Sequence, residues 1–365
     1  MLPNYHRALN LLAIILLTNT VQAESNNPNV SKIWNTECIG QYQLRIPGIV
    51  EVATNKPSSD AFTDNAMYSD GQISLFAQLQ YFGYLNIVSP VSENEFTNFK
   101  NIIIAKREKY KQEYLNSGDE KEINWGNGYK PLAYDTSSMF AWDNEDHNPR
   151  ITYYLANKIF TYSYSNNEND NASKKLNQKY FNNFLHGFHF RPLYEIPTQQ
   201  GVCIPYGFIS DDGTTPHNIA VTMRLIDHSD VEIGFKDSTY FEPTVEKGEL
   251  SSGYLNPKDA INSFFNNSGV TNNLEKVESN FPGYHSIQMG GQKGGAVFFT
   301  IIREDKSKDY GYIAAVKGDD KAGVPSQLLY VIRTASRAKG QPVSKEELKD
   351  MAEKIVASVK HHPVQ

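Results

Sequence analysis

The stretch RPLYEIPTQQGVCIPYGFISDDG (residues 191–213) ends one half of the chain and opens the other. Arg191-Pro192 and Ile196-Pro197 are X-Pro steps that restrict the preceding residue to extended or turn conformations, so no helix runs through. The segment 191–200 reads as a hinge. Directly after it, Val202-Cys203-Ile204 and the run 206–209 are short apolar segments, and Asp211-Asp212-Gly213 supplies an Asp-Gly turn of the kind that closes hairpins. A new sheet begins there. The chain is thereby divided into an N-terminal domain over 24–190 and a C-terminal domain over 201–365.

Landmarks recur on the two sides of this segment. Cys38-Ile39-Gly40-Gln41-Tyr42 and Cys203-Ile204-Pro205-Tyr206 both place Cys-Ile ahead of a tyrosine in an extended stretch. Each half also ends on a capped helix, one beginning at Ser173 and the other at Ser344, where Glu347 completes a capping box. The two pairs of landmarks stand nearly the same distance apart, which suggests a duplicated domain.

Within the first half, 39–46 reads as a strand and 73–87 as one or two more. Ser92 and Glu95 cap a helix over 92–115 in which Phe96, Phe99, Ile102, Ile103, Lys106 and Tyr110 recur at helical spacing. The run ITYYLANKIFTYSYS alternates as an antiparallel pair does. The second half repeats the pattern, with strands over 218–225, 231–235, 286–289, 296–303, 310–317 and 327–334, and a short helix from Asn256-Pro257 through Phe265. The expected fold is α+β, two similar domains, each an antiparallel sheet with helices packed on one face.

The N-terminus carries one fixed positive charge, an apolar run over 8–17 and Val21-Gln22-Ala23. That is a secretory signal peptide, 1–23, cleaved after Ala23. The apolar run is well short of the roughly 20 residues a spanning helix needs, and no second span follows, so membrane insertion is not expected. Formal net charge is −6 with no basic stripe, which disfavours nucleic acid as a ligand. The chain has two cysteines, Cys38 and Cys203. An oxidising compartment would let them pair, and the alternative is two buried thiols.

Few motifs in the chain carry chemistry. There is no G-x-S-x-G elbow and no H-E-x-x-H. His186 and His189 have a spacing that suits a metal, but Gly187 ends the helix between them, and no further ligands lie nearby. Asp211 and Asp212 point apart on an extended backbone, and Gly213 makes a turn the simpler account. The glycine-rich run 290–295 lacks the Ser or Thr that follows a P-loop lysine and reads as a hairpin turn. No cofactor, metal or catalytic residue is assigned. Twenty-two tyrosines and nineteen phenylalanines suit sheet faces that bind another protein.

The run RPLYEIPTQQGVCIPYGFISDDGTTPHNIAVTMRLIDHSDVEIGF (191–235), with the earlier ECIGQYQLRIP (37–47), resembles the immunity proteins that Gram-negative bacteria pair with the fourth family of type VI secretion lipase effectors. The resemblance implies a periplasmic, non-catalytic protein of two α+β domains. Such a protein grips a cognate phospholipase-type effector as a clamp, by occluding its active site or holding its lid, and is a monomer before binding. No partner-contacting residue is transferred. Two rivals remain at this stage. One is an exported hydrolase using Asp211, His217 or His228, and the other is a periplasmic small-molecule binding protein with a pocket at the domain junction.

Overall fold

The computed structural model describes residues 33–58, 61–117, 139–143, 149–163, 171–239, 274–280, 283–319 and 323–362. The signal segment expected over 1–23 and the helix expected after Asn256 lie outside them. In chain order the first half forms a hairpin of β1 (Trp34–Ile39) and β2 (Tyr42–Pro47), then β3 (Val50–Val52) and the small pair β4 (Pro57–Ser58) and β5 (Ala61–Phe62). It continues with β6 (Gln78–Tyr81), β7 (Tyr84–Val88), helix α1 (Glu93–Ser117), β8 (Met139–Asp143), β9 (Pro149–Leu155), β10 (Lys158–Ser163), α2 (Asn171–Gly187) and β11 (Phe188–Phe190). The second half comprises β12 (Gly201–Ile204), β13 (Gly207–Ser210), β14 (His217–Leu225), β15 (Val231–Ser238), β16 (Leu274–Ser279), β17 (His285–Met289) and β18 (Gln292–Arg303). It ends with β19 (Lys308–Val316), β20 (Ser326–Arg333), α3 (Lys345–Ser358) and β21 (Lys360–His361).

The stretch read as one strand over 39–46 is the end of β1, a turn, and most of β2. Gly40 makes the turn at φ +59, and a Cβ there would sit 2.2 Å from the Asp237 carboxylate. Only glycine combines that backbone with that approach. The α1 cap is as the sequence indicates: the Ser92 amide donates to Glu95 at 2.7 Å and the Glu95 amide to the Ser92 hydroxyl at 3.2 Å. Ser344 and Glu347 form the same box on α3.

Thirteen strands make one antiparallel sheet that runs through both halves. Its centre is the pair β14–β6. Outward from this pair the order on one side is β15, β20, β19, β18 and β16, and on the other β7, β10, β9, β8; β17 also pairs with β18 and β3 with β14. Each side thus takes the next strand of its half, jumps to the last, and returns. From β18 to β8 the order is palindromic about the junction, as two copies of one motif joined edge to edge would be, and β16, β17 and β3 are additions to the second half's side.

The hairpins complete the repeat in an exchanged sense. After α2, β11 pairs with β13 of the second hairpin; after α3, β21 pairs with β2 of the first. Each half therefore finishes the small sheet of the other. Cys38 faces Gln43 and Cys203 faces Phe208, each one step outside the turn pairs Ile39–Tyr42 and Ile204–Gly207. These matching positions are joined by a disulfide, and Gly40 and Cys203 exchange backbone hydrogen bonds of 2.8 Å.

Alternation along the strands decides the two faces. Leu85, Ile87, Phe160, Tyr162, Val221, Ile233, Phe235 and Val331 point into the main core with Phe184 of α2 and Leu348, Met351 and Ile355 of α3. Packing of helices on one face holds for α2 and α3. Helix α1 lies on the opposite, outer face, because Val88, Ile159 and Tyr154 carry apolar groups there and Phe96, Phe99 and Ile103 cover them. A second outer cluster, Val297, Phe299, Ile301, Ile313, Tyr330 and Ile332, packs against Leu75 and Phe76 from the first half.

Candidate functional site

Between these two outer clusters the sheet is polar. One row of facing residues crosses seven strands: Ser326, Ser238, Asn218, Gln80, Tyr84, Ser163 and Arg150. The next row carries Lys236, Ala220 and Gln78 on one side of the junction and Asn86 and Thr161 on the other. Asn218 ties the centre together, its amide donating to Gln78 and Gln80 at 3.1 Å each. Tyr84 stands up from this floor, 57 % exposed.

A wall is supplied by residues 51–58 and 61–77, which cross onto the second half. Arg224 of β14 holds this strap by bonds of 2.6 Å to Asp70 and 2.7 Å to Glu51, with its guanidinium 4.2 Å from the Tyr68 ring centroid. Further along, the Leu75 amide and the Tyr330 hydroxyl each donate to Glu232 at 3.1 Å, and Arg337 reaches the other oxygen at 3.3 Å. Burial pushes the Glu232 carboxyl above its ordinary range despite Arg337.

The junction is not sealed along its length. Strand β6 meets β7 only at Gln80–Tyr84. Residues 53–55 enter lower down, where Ala53 donates to the Thr222 carbonyl and Asn55 to that of Ile87. Between these closures lies an opening of about 430 Å³. Leu79, Leu85, Ile87 and Val221, side chains of the core face, line its depth with Pro205, while Gln78, Asn86, Asp64 and Tyr84 surround its mouth.

Asp64 and Arg150 line the opening, and Lys236 stands beside Ala220 on one lip. Its ammonium lies 5.5 Å from the Phe76 ring, and no carboxylate pairs with it among the described residues. Desolvation pushes its pKa down to about 8.

The residues singled out in the sequence fall elsewhere. His217 is fully buried, its Nε2 2.9 Å from Asp237 and its Nδ1 3.0 Å from the Thr215 carbonyl. The same Asp237 oxygen accepts the Gln41 amide at 2.7 Å, so the pair seats the first hairpin on the sheet and faces no solvent. Asp211 accepts the Tyr81 hydroxyl at 2.7 Å and caps its own turn through the Gly213 amide, also at 2.7 Å. His228 lies in the turn before β15, and His186 and His189 are exposed. No cluster of three metal-ligating side chains occurs among the described residues. Gly290 and Gly291 form the β17–β18 turn. The structure brings none of these candidates into the opening. What the sequence reading missed is the alternation Gln78, Gln80, Tyr84, Asn86 between Leu79, Tyr81, Leu85 and Ile87, which marks a strand pair with one wet face.

An exposed tyrosine on a polar floor, an apolar depth and a cation with no carboxylate partner among the described residues make this opening the candidate site, on a fold made of two matching halves. Residues 195–364 match the model of the Tle cognate immunity protein 4 C-terminal domain. This part of the chain is therefore similar to the C-terminal domain of Tle cognate immunity protein 4, in line with the resemblance in the sequence. Two solved structures share the fold over 91 % of this chain. Immunity protein TplEi of T6SS from Pseudomonas aeruginosa, complexed with "L" peptide, is 13 % identical, with TM-score 0.54 and 99 % of its own length covered. The Tle4-Tli4 complex contributes a chain 14 % identical, with TM-score 0.53 and 98 % coverage. No curated protein sequence matches significantly.

Proposed function

We propose that this chain is a periplasmic immunity protein that binds and inhibits a type VI secreted phospholipase-type effector, and so protects the producing cell and its kin. The observation that carries the reading is the family match over residues 195–364. The fold likeness to proteins solved as a Tle4-Tli4 complex and with a bound "L" peptide supports a protein partner. In this reading the chain is not an enzyme and uses no cofactor. The signal segment 1–23 exports it, and the disulfide suits an oxidising compartment.

The outer face is the surface we assign to the effector. The halves 24–190 and 201–365, joined through 191–200, act as the two arms of a clamp on a monomer. Leaving about one effector in a thousand free at micromolar inhibitor needs a dissociation constant near nanomolar, about −12 kcal/mol, which two arms acting together can reach.

The test is to express the tagged, full-length chain in its producing strain, recover what binds it, and assay phospholipase activity with and without the chain. The expected result is a secreted lipase whose activity disappears at one equivalent of the chain. A recovered lipase that keeps full activity in excess chain overturns the reading.

A further inference from the structure

The opening between β14 and β7 has the make-up of an anchor site. A hot spot in a protein interface is a large side chain sunk in a dry pocket, with polar contacts that exclude water around it. Here Leu79, Leu85, Ile87 and Val221 form the depth, and the surround carries carboxamides, the phenol of Tyr84 and one charge of each sign, Asp64 and Arg150. Its volume of about 430 Å³ is ample for one aromatic or branched side chain. A pocket closed by sheet strands on two sides is also rigid, so little order is lost when it fills.

Lys236 narrows the chemistry of what enters. It faces Ala220 across the β15–β14 ladder, on the same face as the opening and one strand from its lip. Neighbouring strands stand about 4.8 Å apart, and an extended chain advances about 3.3 Å per residue. A carboxylate one or two residues from a buried side chain therefore reaches the ammonium. A desolvated cation with no carboxylate partner among the described residues is completed by a partner's anion.

We propose that this opening receives a large apolar side chain of the inhibited protein, and that Lys236 binds a carboxylate carried one or two residues from it. This rests on the reading of the chain as an inhibitor of a protein effector.

The probe is the lipase recovered with the intact chain, and the readout is its dissociation constant for variants of the full-length protein. Ala77 and Gln78 are exposed at the lip, so Ala77→Trp plugs the mouth without entering the core, and Gln78→Trp serves should the first variant fold poorly. We expect Ala77→Trp to weaken binding about 100-fold, the loss of one good anchor. Lys236→Met should weaken it about tenfold and Lys236→Glu further. Tyr284→Ala, an exposed tyrosine away from the opening, should leave it unchanged. Wild-type affinity in both folded tryptophan variants removes the anchor, and wild-type affinity in Lys236→Met and Lys236→Glu removes the carboxylate. If the intact chain captures no lipase, the functional reading fails and this inference falls with it.

Discussion

Arg191 and Glu37, each 2 % exposed, meet at 2.5 Å across 154 positions of sequence. The guanidinium also donates to the carbonyls of Cys38, Ile204, Gly207 and Glu195, and Glu37 accepts the Tyr194 amide. One side chain thus binds the first hairpin, the second hairpin and the segment between the halves. Removing it strands a buried carboxylate and several carbonyls, and the loss of one partner of such a pair is worth about 3–5 kcal/mol. Arg191→Met should lower the urea midpoint accordingly. A variant as stable as wild type would show the network to be incidental.

Breaking the covalent link tests the same junction differently. The Cys38–Cys203 bridge closes a separation of 165 residues. Chain entropy sets its contribution at up to about 5 kcal/mol. Cys38→Ser with Cys203→Ser should shift guanidinium unfolding to lower denaturant while the native circular dichroism spectrum stays unchanged, because Arg191 and the exchanged strands hold the fold.

Histidine 217 makes stability depend on pH. Burial alone would depress its pKa, but the charge and hydrogen bond of Asp237, the Thr215 carbonyl and the more distant Asp211 outweigh burial and raise it above the ordinary value. The folded protein therefore holds the proton more tightly than the unfolded chain, whose histidines titrate near about 6.5. The stabilisation is complete below that pH and is lost as pH rises through the raised native value. Urea midpoints measured from pH 5 to 9 should fall with alkalinity, and His217→Gln should flatten that part of the curve.

Lys236→Met should make the free protein more stable at neutral pH, by on the order of 1 kcal/mol, because a desolvated ammonium with no carboxylate partner among the described residues opposes folding. The sign is that of a cation whose folded pKa is depressed: wild-type stability gains as pH climbs past about 8 toward the unfolded value. Thermal melts at pH 7 check the first statement. A less stable Lys236→Met would mean that the stem's packing outweighs the charge.

Much of this fold is legible in the residues. The capping boxes at Ser92 and Ser344, the alternation of 150–163 and the Asp-Gly turn after β13 all state local rules that tertiary packing obeys. The recurrence of Cys-Ile and of terminal helices anticipates the palindromic sheet. What local rules cannot state is which hairpin pairs with which helix. Nothing in the Phe188–Phe190 strand names β13 as its neighbour, since any edge of matching alternation would serve. Nor does the face of α1 follow from its apolar stripe, because Val88 and Ile159 on the outer side are as apolar as Ile87 and Phe160 on the inner. The opening was hidden for a related reason: it exists only because β6 is too short to fill the space between β14 and β7.

The exchanged hairpins also govern how the molecule could come apart. A protease that severed the connection after β11 would not release two products, since each fragment would still hold a ribbon of the other clasped beneath its terminal helix, with a sulfur bond between the ribbons. Such mutual entanglement turns a single nick from a fatal break into a scar.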